Sequence, residues 1–254
     1  MNVSLFCKMR AKMRARAATG LLALALAGCA APVPPAINDP DEATNREMHA
    51  FNVGLDKAVL RPVADALGRD GQGAVAKGVS NFSDNLGMPS AVLNNVLQLR
   101  LGKAAENTLR FGLNTVIGLG GLFDPATAMG VQGSETDFGQ TLHIWGVPEG
   151  AYVELPFAGP STTRDTVGLI VDSLIDPMNT LLPSPESNLV PVAKIASRVG
   201  DRARFMQTVD SVLYDSADSY AQARLLYLQN RRFELGQSAG ETSFEDPYED
   251  PYAQ

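Results

Sequence analysis

Residues 26 to 29 read Leu-Ala-Gly-Cys, and this tetrapeptide constrains the chain more than any other feature. Ahead of it stand Lys8, Arg10, Lys12, Arg14 and Arg16 with no acidic neighbour, and then "AATGLLALALAG", an apolar run too short to hold a transmembrane helix. Small residues before a cysteine at this distance form a bacterial lipobox. The thiol takes a diacylglycerol, and cleavage leaves Cys29 as the first mature residue.

Everything after Cys29 must therefore fold outside the cytoplasm without help from sulfur. Cys7 leaves with the leader and Cys29 is acylated, so no thiol remains for a disulfide, a metal or catalysis. The 254 residues less the 28 of the leader leave 226, enough to close a core without staples. Losing five of the 21 Lys and Arg, and none of the 28 Asp and Glu, takes the formal net charge from −7 to −12. Such a chain repels phosphate backbones and is not a nucleic-acid binder. Its contact with a membrane should be apolar and anchored by acyl chains.

Composition divides the chain into four stretches: a lipoprotein signal peptide (1–28), a lipid-anchored tether (29–40), a helical domain (41–235) and an acidic tail (236–254). The tether contains "AAPVPPAINDP", proline-containing and extended. The tail repeats "EDPY" in a Gly/Ser-containing acidic context and reads as disordered.

Helical spacing dominates the third stretch. Thr44-x-x-Glu47 reads as a capping box opening a helix with Met48, Phe51, Leu55 and Val59 on one face. Leu93, Leu97 and Leu101 repeat at the same spacing, and Ala105, Leu109 and Leu113 follow. Thr162-x-x-Asp165 opens another helix, carrying Val167, Ile170, Val171 and Leu174. Val192, Ile195, Val199, Ala203, Met206, Val209 and Leu213 form a regular amphipathic stripe. A last helix starts at Asp218 and ends in Arg231 and Arg232, which suit a helix C-terminus. "AYVELPF" is the best strand candidate. Short helices such as "PSAVLNNVLQL" suit a core or an interface, with the core preferred.

Catalytic signatures are few. His49 and His143 have no metal-ligand spacing to each other or to cysteine. Neither Gly-x-Ser-x-Gly nor His-Glu-x-x-His occurs, and Ser161 reads as part of a helix start after proline. Asp165, Asp172 and Asp176 fall roughly along one helical face, fit for acid–base work, for the wet side of a helix or for a polar opening. The stretch "LNTVIGLGGLFDPATAMG" fails as a dinucleotide loop because the last glycine of the fingerprint is misplaced. "GQGAVA" matches a looser form of that pattern but follows a helical segment. The glycines of 113–130 instead suit close packing and a tight turn beside lipid, with Asp124 capping a short helix or facing a polar opening.

Several stretches together resemble the MlaA (VacJ) family of outer-membrane lipoproteins. They are "NDPDEATNREMHAFN", "RPVA", "GVSNFSDNLGMPS", "RFGLNTVIGLGGLFDPA", "DFGQTLHIWGV", "AYVELPFAGPSTTRD", "DSLIDP" and "DSYAQARLLYLQNR", in the family's order from about residue 38 to 232. The chain departs from the pattern at Thr44, Met88 and His143, where the family usually has Phe, an acidic residue and Gly.

The resemblance implies an all-α fold, a ring of short amphipathic helices around a central amphipathic channel, seated in the inner leaflet of the outer membrane. It implies removal of mislocalised phospholipid from the outer leaflet and its transfer to a periplasmic lipid carrier, in association with a trimeric outer-membrane porin. No catalytic residue, metal or cofactor is called for. Cys29 is the lipid anchor. Arg164 and Asp165 are placed by similarity at the channel's polar wall, with Asp172 as a further candidate, and an ordinary helix-start ion pair is the competing reading of the first two. Trp145 suits an interfacial anchor or a core position. A non-catalytic envelope scaffold that binds porins and an envelope lipid hydrolase are the alternative functions.

Overall fold

A computed structural model describes residues 37–66, 73–178, 182 and 189–236, and those from Asn38 onward belong to one compact unit. The expected signal peptide, Cys29, the expected tether up to residue 36 and all but the first residue of the expected acidic tail lie outside the described residues. Within them the chain is helical apart from one hairpin. Its order is α1 (Glu42–Leu55), a π-helical turn (Asp56–Leu60), α2 (Arg61–Ala66), α3 (Ala74–Leu97), α4 (Leu101–Val116), α5 (Pro125–Ala128) and α6 (Phe138–Ile144). Then come β1 (Tyr152–Leu155), β2 (Gly159–Thr162), α7 (Thr163–Ile175), α8 (Leu189–Arg204), α9 (Met206–Asp210), a second π-helical turn (Ser211–Asp215) and α10 (Ser219–Glu234).

Local chemistry accounts for most boundaries. Thr162 caps α7 by accepting the Asp165 N–H at 3.2 Å, and Asp218 caps α10 by accepting the Ala221 N–H at 3.0 Å. The expected box at Thr44 does not open α1. The helix starts at Glu42 behind Asp41, because Asp39 is tied to Tyr220 and Arg224 of α10 and holds the chain's entry two residues earlier. The stripe of Leu93, Leu97 and Leu101 also divides: α3 ends at Leu97, and Leu101 begins α4 after Leu99 turns through a positive φ of 59°. Strand β1 lies within the expected "AYVELPF". Its antiparallel partner β2, pairing Tyr152 with Thr162 and Leu155 with Gly159, occupies residues that read as a helix start.

Helix α3 packs along α4 and α8, α6 packs on α7, and α1 lies on β1. The apolar cores are small. Leu86, Met178, Val190 and Ala193 form one, Ala64, Ala203 and Met206 a second, and Tyr152, Tyr220 and Leu228 a third.

Between these cores the interior is polar. On α4 the buried residues are Ala104, Asn107 and Asn114, while Leu101 is 64 % and Val116 79 % exposed. On α7 the buried residues are Arg164 and Gly168, while Val167, Leu169, Ile170 and Leu174 face outward. The "PSAVLNNVLQL" segment, expected in a core, buries Asn94, Asn95 and Gln98 and exposes Val96. Val192 and Ile195 likewise point outward although Ala203 and Met206 of the same stripe are buried.

Asparagine side chains make this polar interior stable by pairing with backbone as another strand would. Asn45 of α1 donates to the Tyr152 carbonyl at 3.2 Å and accepts the Glu154 N–H at 2.9 Å. One heptad on, Asn52 donates to the Leu155 carbonyl at 2.9 Å and accepts the Phe157 N–H at 2.9 Å. Asn107 of α4 closes the same pair of bonds on Ser134, at 2.9 and 2.8 Å. Asn114, again one heptad on, donates to Asp124 at 3.1 Å and accepts the Ala126 N–H at 3.1 Å.

A buried ion pair joins the first π-helical turn to α8, and a tyrosine of the second turn meets the same carboxylate. Arg202 donates through Nε and Nη2 to Asp56 at 2.8 and 3.0 Å, and Tyr214 donates to the same carboxylate at 2.7 Å. Both charges are buried; Arg202 also reaches Asp210 at 2.5 Å, whereas Asp56 has no second cation among the described residues, so removing Arg202 strands the carboxylate.

Two stability outcomes follow, each read as a denaturation midpoint of purified protein in mild detergent. Asn107→Ala leaves both backbone groups of Ser134 unpaired and lowers stability by about 1–3 kcal/mol. Arg202→Met leaves Asp56 buried against Tyr214 alone and lowers it by about 3–5 kcal/mol.

Candidate functional site

The sequence-picked residues Arg164, Asp165 and Asp172 all lie on the inward face of α7, opposite its apolar outer face. Asp165 receives Arg231 of α10 through Nη2 at 3.1 Å and Nε at 3.2 Å, and Tyr227 at 2.9 Å. Arg231 also reaches Asp137, the cap of α6, at 2.7 Å, so one guanidinium joins three helices. Burial raises the pKa of Asp165, but the hydrogen bonds and charge of Arg231 outweigh it and hold the carboxyl below the usual range. Here α6 and α7 touch backbone to backbone: a methyl group on Gly168 would sit 2.4 Å from the Gly139 nitrogen.

Asp172, two turns on, serves α3 and α6. It accepts from Asn94 at 2.8 Å and from the Phe138 N–H at 2.8 Å. Burial pushes its pKa up despite these bonds. The third carboxylate expected on this face, Asp176, falls past the end of α7 and binds Lys194 at 3.3 Å and the Met178 N–H at 3.0 Å. It takes no part in the cluster.

Arg164 is 2 % exposed. Its Nε contacts Asp165 at 3.3 Å, while both terminal nitrogens are buried without a hydrogen-bond partner among the described residues. The cluster is therefore a helix-start ion pair and also an inward-facing cationic group with spare donors.

Asp124 caps α5, accepting the Thr127 N–H at 3.1 Å, and binds Arg110 at 2.6 Å. Burial raises its pKa, but the bonds from Thr127, Asn114 and Arg110 lower it below the usual range. The glycine-rich turn before it exposes Ile117, Leu119, Leu122 and Phe123. Gly121, at φ +100°, lies so close to α3 that a methyl group there would meet Asn85 at 2.5 Å. Trp145 is exposed and donates to the Leu97 carbonyl at 3.3 Å, a surface position rather than a core one. Elsewhere a cleft of about 840 Å³ opens between the π-turn and α2 on one side and α9 on the other, lined by Lys57, Arg61, Asp65, Arg204, Phe205 and Asp210.

Bond-making chemistry finds little support in the geometry. Ser161 is buried and bonds to Thr166 at 3.1 Å, with no histidine among its hydrogen-bond partners. His49 touches Ser219 at 3.0 Å and Glu154 at 3.5 Å, which outlines a relay. Yet the Ala221 N–H at the start of α10, a ready oxyanion donor, is held by Asp218. His143 stands near Arg164 and Arg231, and burial followed by those charges depresses its pKa. Among the described residues no three His, Cys, Asp or Glu group to hold a metal.

The residues that sequence reasoning passed over are the asparagines. Their signal was present: Asn45 with Asn52, and Asn107 with Asn114, repeat at seven-residue spacing inside helices where asparagine is a poor helix former.

The fold described above is similar to that of known proteins. The MlaA lipoprotein family model matches residues 37–234. The chain is 35 % identical over 201 residues to the intermembrane phospholipid transport system lipoprotein MlaA of Escherichia coli K12, covering 77 % of this chain and 78 % of that one. To the protein of the same name in Haemophilus influenzae it is 31 % identical over 224 residues, covering 85 % and 88 %. A solved structure from work on the structural basis for maintenance of bacterial outer membrane lipid asymmetry superposes with a TM-score of 0.63 at 32 % identity, over 78 % of this chain and 98 % of the other. With a matched segment spanning every helix and the hairpin described here, the chain belongs to the MlaA lipoprotein family.

Proposed function

We propose that the protein is an outer-membrane lipoprotein that removes mislocalised phospholipids from the outer leaflet and hands them to a periplasmic carrier, maintaining lipid asymmetry. Residues 1–28 are its leader, Cys29 anchors it on the periplasmic side, 29–40 form the tether, 41–235 the helical domain and 236–254 an acidic tail. The observation that carries this reading is the inverted pattern of α4 and α7, apolar outside and amide, carboxylate and guanidinium inside. Among the described residues no helix is long and apolar enough to cross a membrane. An apolar surface on short helices suits partial immersion in one leaflet, with acyl chains outside and a polar path within.

On this reading Arg164, Asp165 and Asp172 line the headgroup's path through a central channel. Moving a phospholipid between leaflets breaks no covalent bond, so the protein needs no nucleophile, metal or cofactor. Its work is to lower the cost of carrying a charged headgroup past hydrocarbon. A trimeric porin is the membrane-spanning partner that would hold such a short-helix protein in place. The names of the relatives, intermembrane phospholipid transport system lipoproteins, support the same direction of reading.

Deleting the chain from its host should raise phospholipid in the outer leaflet, measured by a surface-restricted labelling assay. Unchanged surface phospholipid would leave only a scaffold role. Fatty acid release by the purified protein, abolished in Ser161→Ala, would replace transport by hydrolysis. Leu109→Lys combined with Val116→Lys changes only exposed positions, so the fold and melting temperature should hold while vesicle binding drops on the order of tenfold or more.

A further inference from the structure

Between α3, α4 and the turn into α5 lies a crevice lined by Asn81, Asp84, Asn85, Met88, Arg110, Asn114 and Asp124, with about 10 Å³ of free space, room for one water-sized group. Most of its polar atoms are already committed. Arg110 spends its terminal nitrogens on Thr127, Val131 and Asp124. Asp124 spends its oxygens on Arg110, Asn114 and Thr127, and the Asn114 oxygen accepts the Ala126 N–H.

Two acceptors are left over. Asn85 is 3 % exposed, and its amide nitrogen is fixed by Thr115 at 3.0 Å and the Gly120 carbonyl at 3.2 Å, which leaves its Oδ1 buried without a partner. Asp84 stands at the exposed mouth of the crevice, only partly desolvated by its walls, and makes no hydrogen bond or ion pair among the described residues. Burial, Glu135 and Asp201 push its carboxyl up to about 6, with Arg110 pulling the other way and Asp124 adding to the rise. The crevice thus presents unpaired acceptors and uncompensated negative charge, and it calls for a small cation that only donates.

Its outer wall adds a second property. The Asn81 amide binds the Leu122 carbonyl at 3.3 Å and Asn85 binds that of Gly120, so the wall is the turn that exposes Ile117, Leu119, Leu122 and Phe123. A polar pocket for one small cation therefore abuts an exposed apolar patch. The ligand that matches both is an amphiphile with a primary ammonium head.

We infer that this crevice receives the primary ammonium group of a phospholipid headgroup, Asp84 and the Asn85 carbonyl oxygen accepting its N–H donors while the acyl chains lie over the 117–123 turn. The inference rests on the lipid-transport reading and specifies the headgroup it favours. A quaternary trimethylammonium group has no N–H to give and exceeds a space sized for one water. A divalent metal wants more oxygen ligands than the Asp84 carboxylate and the neutral Asn85 amide supply.

The test equilibrates the full-length protein in detergent with equimolar phosphatidylethanolamine and phosphatidylcholine of identical acyl chains, and measures bound lipid by native mass spectrometry. Wild type should enrich the ethanolamine lipid on the order of fivefold, the scale of one partly exposed ion pair. Asp84→Asn, which preserves shape at a solvent-reached position, should bring the ratio near one at unchanged melting temperature. Mono- and dimethylated headgroups should fall between the extremes. Equal binding by wild type, or an enrichment that survives Asp84→Asn, overturns the inference and leaves transport standing. Binding of no phospholipid at all would instead remove the transport reading. Stoichiometric Mg²⁺ or K⁺ in lipid-free protein, lost in Asp84→Asn, would assign the crevice to an inorganic ion and also overturn it.

Discussion

The asparagine side chain paired to two backbone groups is the interaction on which the rest of this structure depends. A buried amide satisfied on both sides costs little, whereas a buried loop with unpaired N–H and C=O groups costs several kcal/mol. Asn45, Asn52 and Asn107 each close two bonds on backbone of the hairpin region or of Ser134, and Asn114 takes the Ala126 N–H and the Asp124 side chain, so these segments lie against the helices with those groups paired. Apolar packing then has less to do. The clusters around Leu86, Ala64 and Tyr152 can stay small, and apolar residues are released to the surface.

That exchange explains why helices were easy to read in the sequence and their orientation was not. Periodicity reports which residues share a face, and a stripe such as Leu109 and Val116 looks the same whether it meets protein or hydrocarbon. Only a partner's position decides, and the partner of Asn107 is a loop residue 27 positions away. Caps fared better where their chemistry is local, as at Thr162 and Asp218. At Thr44 a distant contact through Asp39 moved the helix start, and no window of sequence around Thr44 contains Arg224.

The candidate site was legible in part for the same reason. Asp165 and Asp172 fall together because both belong to one helix, and seven residues of spacing suffice to place them. Asp176 failed because α7 ends before it. Asp84 gave no sign at all: its environment is made by Glu135, Asp201 and Arg110, three residues from three separate segments. The family pattern supplied the function more directly than any motif of chemistry, because lipid movement leaves no nucleophile or metal ligand set to find.

The paired π-helical turns carry a consequence for how this chain tolerates change. Each turn holds about one residue more than α-helical register requires, and deleting one would rotate all that follows by about 100°. Asp56 of the first turn is bound at once by Arg202 of α8 and by Tyr214 of the second turn. A residue lost from either turn would swing one end of the Asp56–Tyr214 bond away from the other, so the lengths of two segments 158 residues apart in sequence are linked through one carboxylate.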